Sequence, residues 1–544
     1  MADNVIMSRR IRMCSVIIIG LLAGCGDRPW NYPYGFDLPE KNLFFGSFSE
    51  RPKHLDPAVS YSASEVVFTG QIYEPPLQYH YLKRPYELET LTAEVLPQPI
   101  WYDSAGDLLD SHASPDQVMK SVYRIKIKPG IYYQPHPALA KDSSGNFLYH
   151  QLTDDELKDI YAIADFEVTG SRELVAADYV HQIKRLAHPK LHSPILGLMS
   201  AYIEGLAELS EELNTKHEQG EQIDLTQIQL SGVRELDRYT YEITIKGKYP
   251  QFAYWLAMPF FAPMPPEADR FYDQPGLTEK NVSLDWYPIG TGPFMLVENN
   301  PNRRMVMVRN PNYRTDDFYP AEGLPEDKEN GLLQDAGKPM PFIEQAIYSR
   351  EVEAIPTWNK FLQGYYDTSG VSSESFDQVV QFGSTGDAVL TEEIQQKGIR
   401  LVTSVAATSF YTGFNMLDPV IGGYSEEAKK LRRAVSIAMD YEEYISIFRN
   451  GRGIPSHGPI PPGIFGYLPE RLGINSFVYR WQHGEAVRQP VAEAKRLLAE
   501  AGYPGGRSRK TGEPLILYFD VTATGPDAKA WLDWLRKQFQ KIDI

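Results

Sequence analysis

The 544-residue chain has one stretch that is apolar enough to concern a membrane, Met13–Leu22, and its ten residues are too few to cross one. A transmembrane helix takes about 20 residues, and no second apolar run approaches that length. The hydrophobic residues, 42% of the chain, must therefore be buried in the protein's own interior. A chain of this length exceeds what one core usually holds, so about three structural units are expected. The 41 prolines, 41 glycines and 34 tyrosines describe a loop-rich mixed α/β protein with many amphipathic aromatic surfaces.

Arg9, Arg10 and Arg12 precede the short apolar run and Leu22-Ala23-Gly24-Cys25 closes it. Basic residues, an apolar segment and small residues before a cleavage point make an export signal. A leucine, two small residues and a cysteine resemble the bacterial lipobox, in which the thiol takes a diacylglycerol and the cysteine becomes the mature N-terminus. Residues 1–24 are thus expected to be a lipoprotein signal peptide, Cys25 the lipidation site, and residues 25–41, with Pro29, Pro33 and Pro39, a tether. Ser8-Arg9-Arg10 hints at a twin-arginine signal, but the rest of that pattern is lacking. Cleavage before Cys25 removes three arginines and one aspartate, so the formal charge of −17 becomes −19. A surface so acidic repels nucleic acid. Cys14 lies in the signal and Cys25 takes the lipid, which leaves no cysteine for a disulfide or a thiolate metal site.

Periodicity locates the elements. Leu43-Phe44-Phe45-Gly46 reads as a buried strand, followed by a turn at Leu55-Asp56-Pro57. Ser64–Tyr73 carries Val67, Phe68 and Ile72 near helical spacing, with Ser64 as its cap. Alternation of Tyr123, Ile125 and Ile127 with basic residues gives a strand that stops at Pro129-Gly130. Residues 140–173 are an acidic surface excursion with a short helix over about 154–164, and residues 315–340 are a second acidic excursion. Leu174–Leu186 is an amphipathic helix ended by Pro189, which also breaks any shared face of His181, His188 and His192. Hairpins are expected at Val233–Ile245 and at Met295–Val308, with apolar, proline-broken core between them at Phe252–Met264. Further on come an aromatic strand at Phe410–Asn415 and a helix burying Leu431, Ala434, Val435 and Ala438, with Arg432, Arg433 and Asp440 on its wet side. A helix over Ala492–Ala501 is stopped by Gly502, Leu515–Phe519 reads as a buried strand, and Trp531, Leu535 and Phe539 stripe a last helix. The closing Ile542-Asp543-Ile544 reads as the opening of another strand, so the sequence is expected to be a fragment.

Six collinear blocks resemble the family 5 extracellular solute-binding proteins: Pro129-Gly130-Ile131; Ala176-Ala177-Asp178 with Lys184-Arg185; Gly290-Thr291-Gly292-Pro293-Phe294; Arg309-Asn310-Pro311-Asn312-Tyr313; Leu431–Asp440; and Glu493–Pro504. The resemblance implies an α/β, two-lobed, periplasmic-binding-protein-like fold (type II, cluster C) with an extra subdomain on lobe I and a truncated C-terminal part. Lobe I would take residues 42–70 and 237–405, the extra subdomain residues 71–236, and an incomplete lobe II residues 406–544. It implies a peptide receptor for the permease subunits of an ABC importer, working without a cofactor or metal, as a monomer anchored through Cys25 on the outer side of a bacterial membrane. Ligand-facing loops would bring Ser60, Tyr61, Phe414 and Asn415 to the ligand. The acidic residue that pairs with the ligand's amino group in many peptide-binding members would lie beyond Ile544. Val175 stands where the family usually has a threonine cap.

Such a receptor needs no chemistry, only open and closed states that the ligand biases. Gly290-Thr291-Gly292 lacks the third glycine and the following helix of a nucleotide loop and reads as a tight turn. Asp56 and Asn415 read first as residues that bond their own backbone. A secreted hydrolase is the rival class, but the chain has no Gly-x-Ser-x-Gly, His-Glu-x-x-His or Cys-x-x-Cys. Within the binding class, a nickel chelate, haem or an oligosaccharide is the alternative ligand, because a fold does not fix its ligand.

Overall fold

The computed structural model describes residues 42–382, 388–521 and 526–544. The expected signal peptide (1–24), Cys25 and the tether (25–41) lie outside the described residues. The chain divides into two compact units, residues 42–83 with 87–370 and residues 84–86 with 371–544.

The strands of the first unit are β1 (Leu43–Phe48), β2 (Leu77–Tyr79), β3 (Leu88–Thr90), β4 (Pro99–Tyr102), β5 (Leu108–Leu109), β6 (Lys120–Lys126), β7 (Val233–Asp237), β8 (Thr240–Lys246), β9 (Phe294–Asn300), β10 (Arg304–Arg309) and β11 (Gln345–Arg350). Its longer helices are α1 (Ala63–Ile72), α2 (Ala176–Arg185), α3 (Leu196–Tyr202), α4 (Leu206–Glu218), α5 (Pro266–Tyr272) and α6 (Ala354–Leu362). One sheet has the order β1-β11-β10-β9, with β1 parallel to β11 and the remaining pairs antiparallel. In β1, Gly46 is required: a Cβ there would stand 2.8 Å from the Tyr348 ring, which lies across the strand and meets Phe44 and Phe68. The second sheet, β5-β4-β6-β8-β7, is antiparallel throughout. Tyr123 and Ile125 of β6 face its core, as the alternation predicts. On the opposite face Glu242 is gripped between Arg124 at 2.7 Å and Arg234 at 2.8 Å.

Two of the blocks, Gly290–Phe294 and Arg309–Tyr313, meet at one joint with the end of α1 and Tyr133. The Gly292 N–H donates to Ile72 O at 2.8 Å, capping the end of α1, and a Cβ on Gly290 would fall 2.0 Å from the same oxygen. Asn310 Nδ2 donates to Gly292 O at 2.9 Å, and Asn312 Nδ2 donates to Tyr133 O at 2.8 Å. Gly290-Thr291-Gly292 is thus a tight turn made of glycine because backbone lies against backbone. Val175, in the usual threonine's place, caps α2 without a side-chain bond; the Asp178 carboxylate accepts from Val175 N at 3.1 Å and is held by Arg172, which also grips Glu267.

The second unit contains β12 (Val380–Phe382), β13 (Ala388–Leu390), β14 (Tyr479–Gln482), β15 (Glu485–Arg488), α7 (Glu426–Ala438), α8 (Tyr441–Arg449), α9 (Val491–Glu500) and α10 (Pro526–Gln540). Leu431, Ala434 and Ala438 of α7 pack on Ala494, Leu497 and Leu498 of α9, and Val435 packs with Trp534 and Leu535 of α10. Segment 371–376 belongs with this unit because Arg452 donates to Val371 O at 2.8 Å and lies 4.8 Å over the Phe376 ring.

Several expectations need correction. Ser62, not Ser64, caps α1, with Glu65 completing a capping box, and Val67 is exposed. The short helix of the acidic excursion stops at Leu157. Asp440 is not the wet end of α7 but the N-cap of α8, accepting from Glu443 N at 2.9 Å. Phe410–Asn415 and Leu515–Phe519 form no ladder; Phe410 and Tyr411 are 85% and 88% exposed, and only Leu515 of the second segment is buried. Aromatic and branched residues favour a pleated surface only when a neighbouring strand satisfies the backbone. The described strands of this unit form two separate two-stranded ribbons that pair with neither segment. Lys541–Asp543 make a turn in place of the expected strand, with Ile542 buried.

Candidate ligand-binding site

In the first unit the loop between β1 and α1 carries Ser60 and Tyr61, and a single carboxylate organises it. Glu65, 3% exposed, accepts from the backbone N–H groups of Lys53 at 3.0 Å, His54 at 2.9 Å, Tyr61 at 2.9 Å and Ser62 at 3.0 Å. It also accepts from Ser60 Oγ at 3.2 Å. Burial alone would raise its pKa, but the bonds from Ser62, His54, Tyr61 and Lys53 outweigh burial and hold it below the usual carboxylate range. Ser60 is therefore buried with its hydroxyl engaged. The Tyr61 ring is 69% exposed, 6.2 Å from the Phe260 ring.

Under the same loop lies a buried charge cluster. Arg185, at the end of α2, donates to both oxygens of Asp56 at 2.9 and 2.7 Å and to Asp269 of α5 at 3.0 Å. His181, one turn earlier, sits 2.7 Å from Asp269. Burial would raise the Asp269 pKa, but Arg185 and His181 hold it well below the carboxylate range. Asp56 also accepts from Ala58 N at 2.9 Å, so it fixes the turn through its own backbone and through α2. Asp285 completes the anchoring by accepting from Leu55 N and Asp56 N at 3.1 Å each.

In the second unit Phe414 lines a cavity of about 200 Å³ together with Lys429, Arg432, Arg433, Asn475 and Phe477. The three cations lie at i, i+3 and i+4 on α7, hence on one face. Arg433 stacks 3.9 Å over the Phe477 ring, while Arg432 donates to Ile421 O at 2.7 Å. Below them Arg488 ties β15 to Glu442 of α8 at 2.5 Å and to the α7 carbonyls of Ser436 and Ile437 at 3.3 and 3.4 Å. Asn415 faces its own chain: Oδ1 accepts from Leu417 N at 3.0 Å, an Asx turn. Lys429 is paired with Glu426 at 2.8 Å, so it is the two aromatic rings with the Arg432 and Arg433 guanidinium groups that can hold an apolar group ending in a carboxylate.

Of the four residues expected at the ligand, the structure places Ser60 and Tyr61 in one preorganised loop and Phe414 in a cavity wall, next to Asn415 in a turn. The patterning that puts Arg432 and Arg433 on a wet helix face misses their part in that wall; the 429/432/433 spacing is the signal that could have found it. Glu65 leaves only the weak signature of an acidic residue three positions after Ser62. Of the three spaced histidines, His181 is bound to Asp269, and no group of metal-ligating side chains suited to an ion occurs among the described residues. No helix of the described residues is long and apolar enough to cross a membrane.

Residues 170–544 match the sequence profile of the bacterial extracellular solute-binding proteins, family 5 middle. Heme-binding protein A of Haemophilus influenzae is 24% identical over 316 residues, 58% of this chain and 46% of that protein. The periplasmic oligopeptide-binding protein OppA of Salmonella typhimurium is 23% identical over 334 residues, 61% of this chain and 49% of that protein. The chain thus spans about half the length of the curated relatives it matches. Among solved structures, the oligopeptide-binding protein AppA from Bacillus subtilis, in complex with a nonapeptide, superposes over 93% of this chain and 74% of its own, with a TM-score of 0.54 and 16% identity. That likeness shows the fold, the α/β two-lobed fold of periplasmic binding proteins. The matching family is one of solute-binding proteins, not of enzymes, and the chain belongs to it: it is a member of the family 5 bacterial extracellular solute-binding proteins.

Proposed function

We propose that the chain captures peptides outside the cytoplasm and delivers them to the permease subunits of an ABC importer, while anchored to the membrane by a diacylglycerol on Cys25. The observation that carries the peptide reading is the cationic, aromatic cavity beside Phe414. A peptide's C-terminal residue offers a side chain for Phe414 and Phe477 and a carboxylate for Arg432 and Arg433. Arginine presents several donors in a fixed fork, so Arg432 can serve Ile421 O and a carboxylate together. Support comes also from OppA and from AppA with its nonapeptide. Tyr61, on the loop fixed by Glu65, is proposed as an aromatic contact, with Ser60, Phe414 and Asn415 shaping the loops around the ligand. Capture by hinge closure requires only that the ligand's contacts differ between an open and a closed state.

A second reading is favoured by the similarity to heme-binding protein A. Haem ends in two propionates, and the same cations would receive them.

Melting-temperature shifts separate the two readings. Free-acid tri- to nonapeptides are expected to stabilise the protein, by about 2.7 kcal/mol at 100 times the Kd. C-terminal amidation, or Arg432→Gln with Arg433→Gln, should weaken that binding at least about ten-fold, which is about 1.4 kcal/mol. If no peptide shifts the melting point and haem does, the peptide reading is wrong. If amidated and free peptides bind alike, the assignment of the cationic cavity is wrong.

A further inference from the structure

A second cavity, in the first unit and unrelated to the loop that holds Tyr61, has a composition at odds with the rest of the chain. It is a half-open depression of about 540 Å³ lined by His188, Lys190, His192, Ser210, Asn214 and His217, of which Lys190, His192, Asn214 and His217 are exposed, with three apolar residues completing the wall. That volume is in the range of small-molecule sites. The chain carries a formal charge of −17, yet no carboxylate lines this cavity. Ser210, Asn214 and His217 recur at i, i+4 and i+7 on α4 and so share one face of that helix. The histidines and the lysine opposite come from the turn that joins α2 to α3.

The local chemistry favours donors. The Lys190 N–H donates to His188 Nδ1 at 3.3 Å, so the proton of the neutral His188 imidazole resides on Nε2. Burial pushes the His188 pKa down to about 4, keeping that tautomer at neutral pH. Asp269, the carboxylate acting on His188, is already bound by Arg185 and His181. On α4 the neighbouring Glu212 pairs with Lys216 at 3.7 Å. The turn also carries a conformational cost at two successive residues. His192 has φ of 49°, in the left-handed region, and the next residue, Ser193, has a buried hydroxyl with no partner among the described residues. Such costs persist where the surrounding structure or a site holds them.

We propose that this cavity binds a compact organic anion carrying carboxylate or phosphate groups, received by Lys190, His188, His192 and His217 and oriented by Ser210 and Asn214. The site is independent of the peptide reading, and its occupant is a free anion in solution. Geometry disfavours a metal here, since no cluster of ligands suited to an ion occurs among the described residues.

The test titrates citrate and inorganic phosphate into the full chain by calorimetry, with the histidine imidazole signals followed by NMR. At least one anion is expected to bind with a Kd below about 1 mM and to move the signals of His188, His192 and His217. Lys190→Gln with His217→Gln should weaken it at least ten-fold, and Lys190→Glu more, while circular dichroism and the peptide-induced melting shift stay as in the parent. The inference is overturned if neither anion binds with a Kd below about 1 mM, an adventitious ion only. It is equally overturned if the variants bind as the parent does, or if Zn²⁺ binds through these histidines and neither anion does. Sedimentation with phosphatidylglycerol vesicles that depends on Lys190 and His217, without binding of either free anion, would make the surface a lipid contact and end the proposal.

Discussion

The two segments that carry the expected ligand residues are built in opposite ways. Residues 53–62 of the first unit are fixed from both sides: Glu65 collects five donors from the loop, and Arg185 locks Asp56 from a helix more than a hundred residues on. Phe410–Asn415 of the second unit has no ladder partner among the described residues, and its first two rings are almost wholly in solvent. Order beside a binding surface thus comes in one case from carboxylates that gather backbone donors and in the other from the cavity wall around Phe414, one hydroxyl contact between Thr412 and Tyr441 at 2.8 Å and the Asn415 turn. Buried ion pairs add little net stability, but removing one partner leaves an uncompensated charge and is expensive. The contrast therefore predicts very unequal responses to substitution.

The largest response should come from Arg185→Met, which strands Asp56 and Asp269. A loss of about 3–5 kcal/mol is expected in urea unfolding, with hydrogen exchange accelerated in the first unit. A loss below about 1 kcal/mol would mean that water reaches the cluster and that the loop is not locked from beneath. Next comes Glu65→Gln, expected to cost about 2 kcal/mol through weakened charge-assisted bonds, and to speed exchange at the amides of Lys53, His54, Tyr61 and Ser62. The folded pKa of Glu65 lies below its unfolded value, so its contribution is complete above the unfolded pKa, about 4.3, and is lost as pH falls through the folded one. The parent should accordingly lose stability more steeply than the Gln variant below about pH 4.3; parallel acid limbs would remove the carboxylate from the account. The smallest effect should be that of Phe410→Ser with Tyr411→Ser, within about 0.5 kcal/mol. A loss above about 1 kcal/mol would show that those rings are packed and would erase the contrast.

The same contrast bounds what the chain revealed as letters. Hairpins such as β7-β8 and β9-β10 were legible because alternation and turn residues are local, and α7 and α9 because a buried stripe repeats within one helix. Phe410–Asn415 and Leu515–Phe519 have strand composition, but a strand is a relation between segments and the partner is not written in the segment itself. Glu65 looks like any acidic residue in a first helical turn, and its five donors arrive from a loop whose path only the fold sets. Arg185 was visible as part of a family block while its bonds to Asp56 and Asp269 were not, since both partners lie far along the chain. Asp56 and Asn415, read as turn residues, do bond their own backbone.

The parallel pairing of β1 with β11, Phe45 opposite Ile347, has a consequence for synthesis. When the ribosome releases β1, the strand it pairs with among the described residues has not been made, and the carbonyl at the end of α1 still awaits the amide of Gly292. The first unit can therefore close only after some three hundred further residues have emerged, and until then its opening strand remains without a partner. Pairings this distant in sequence form slowly, so whatever shields a nascent chain from sticking has to guard this strand for longer than any other in the unit.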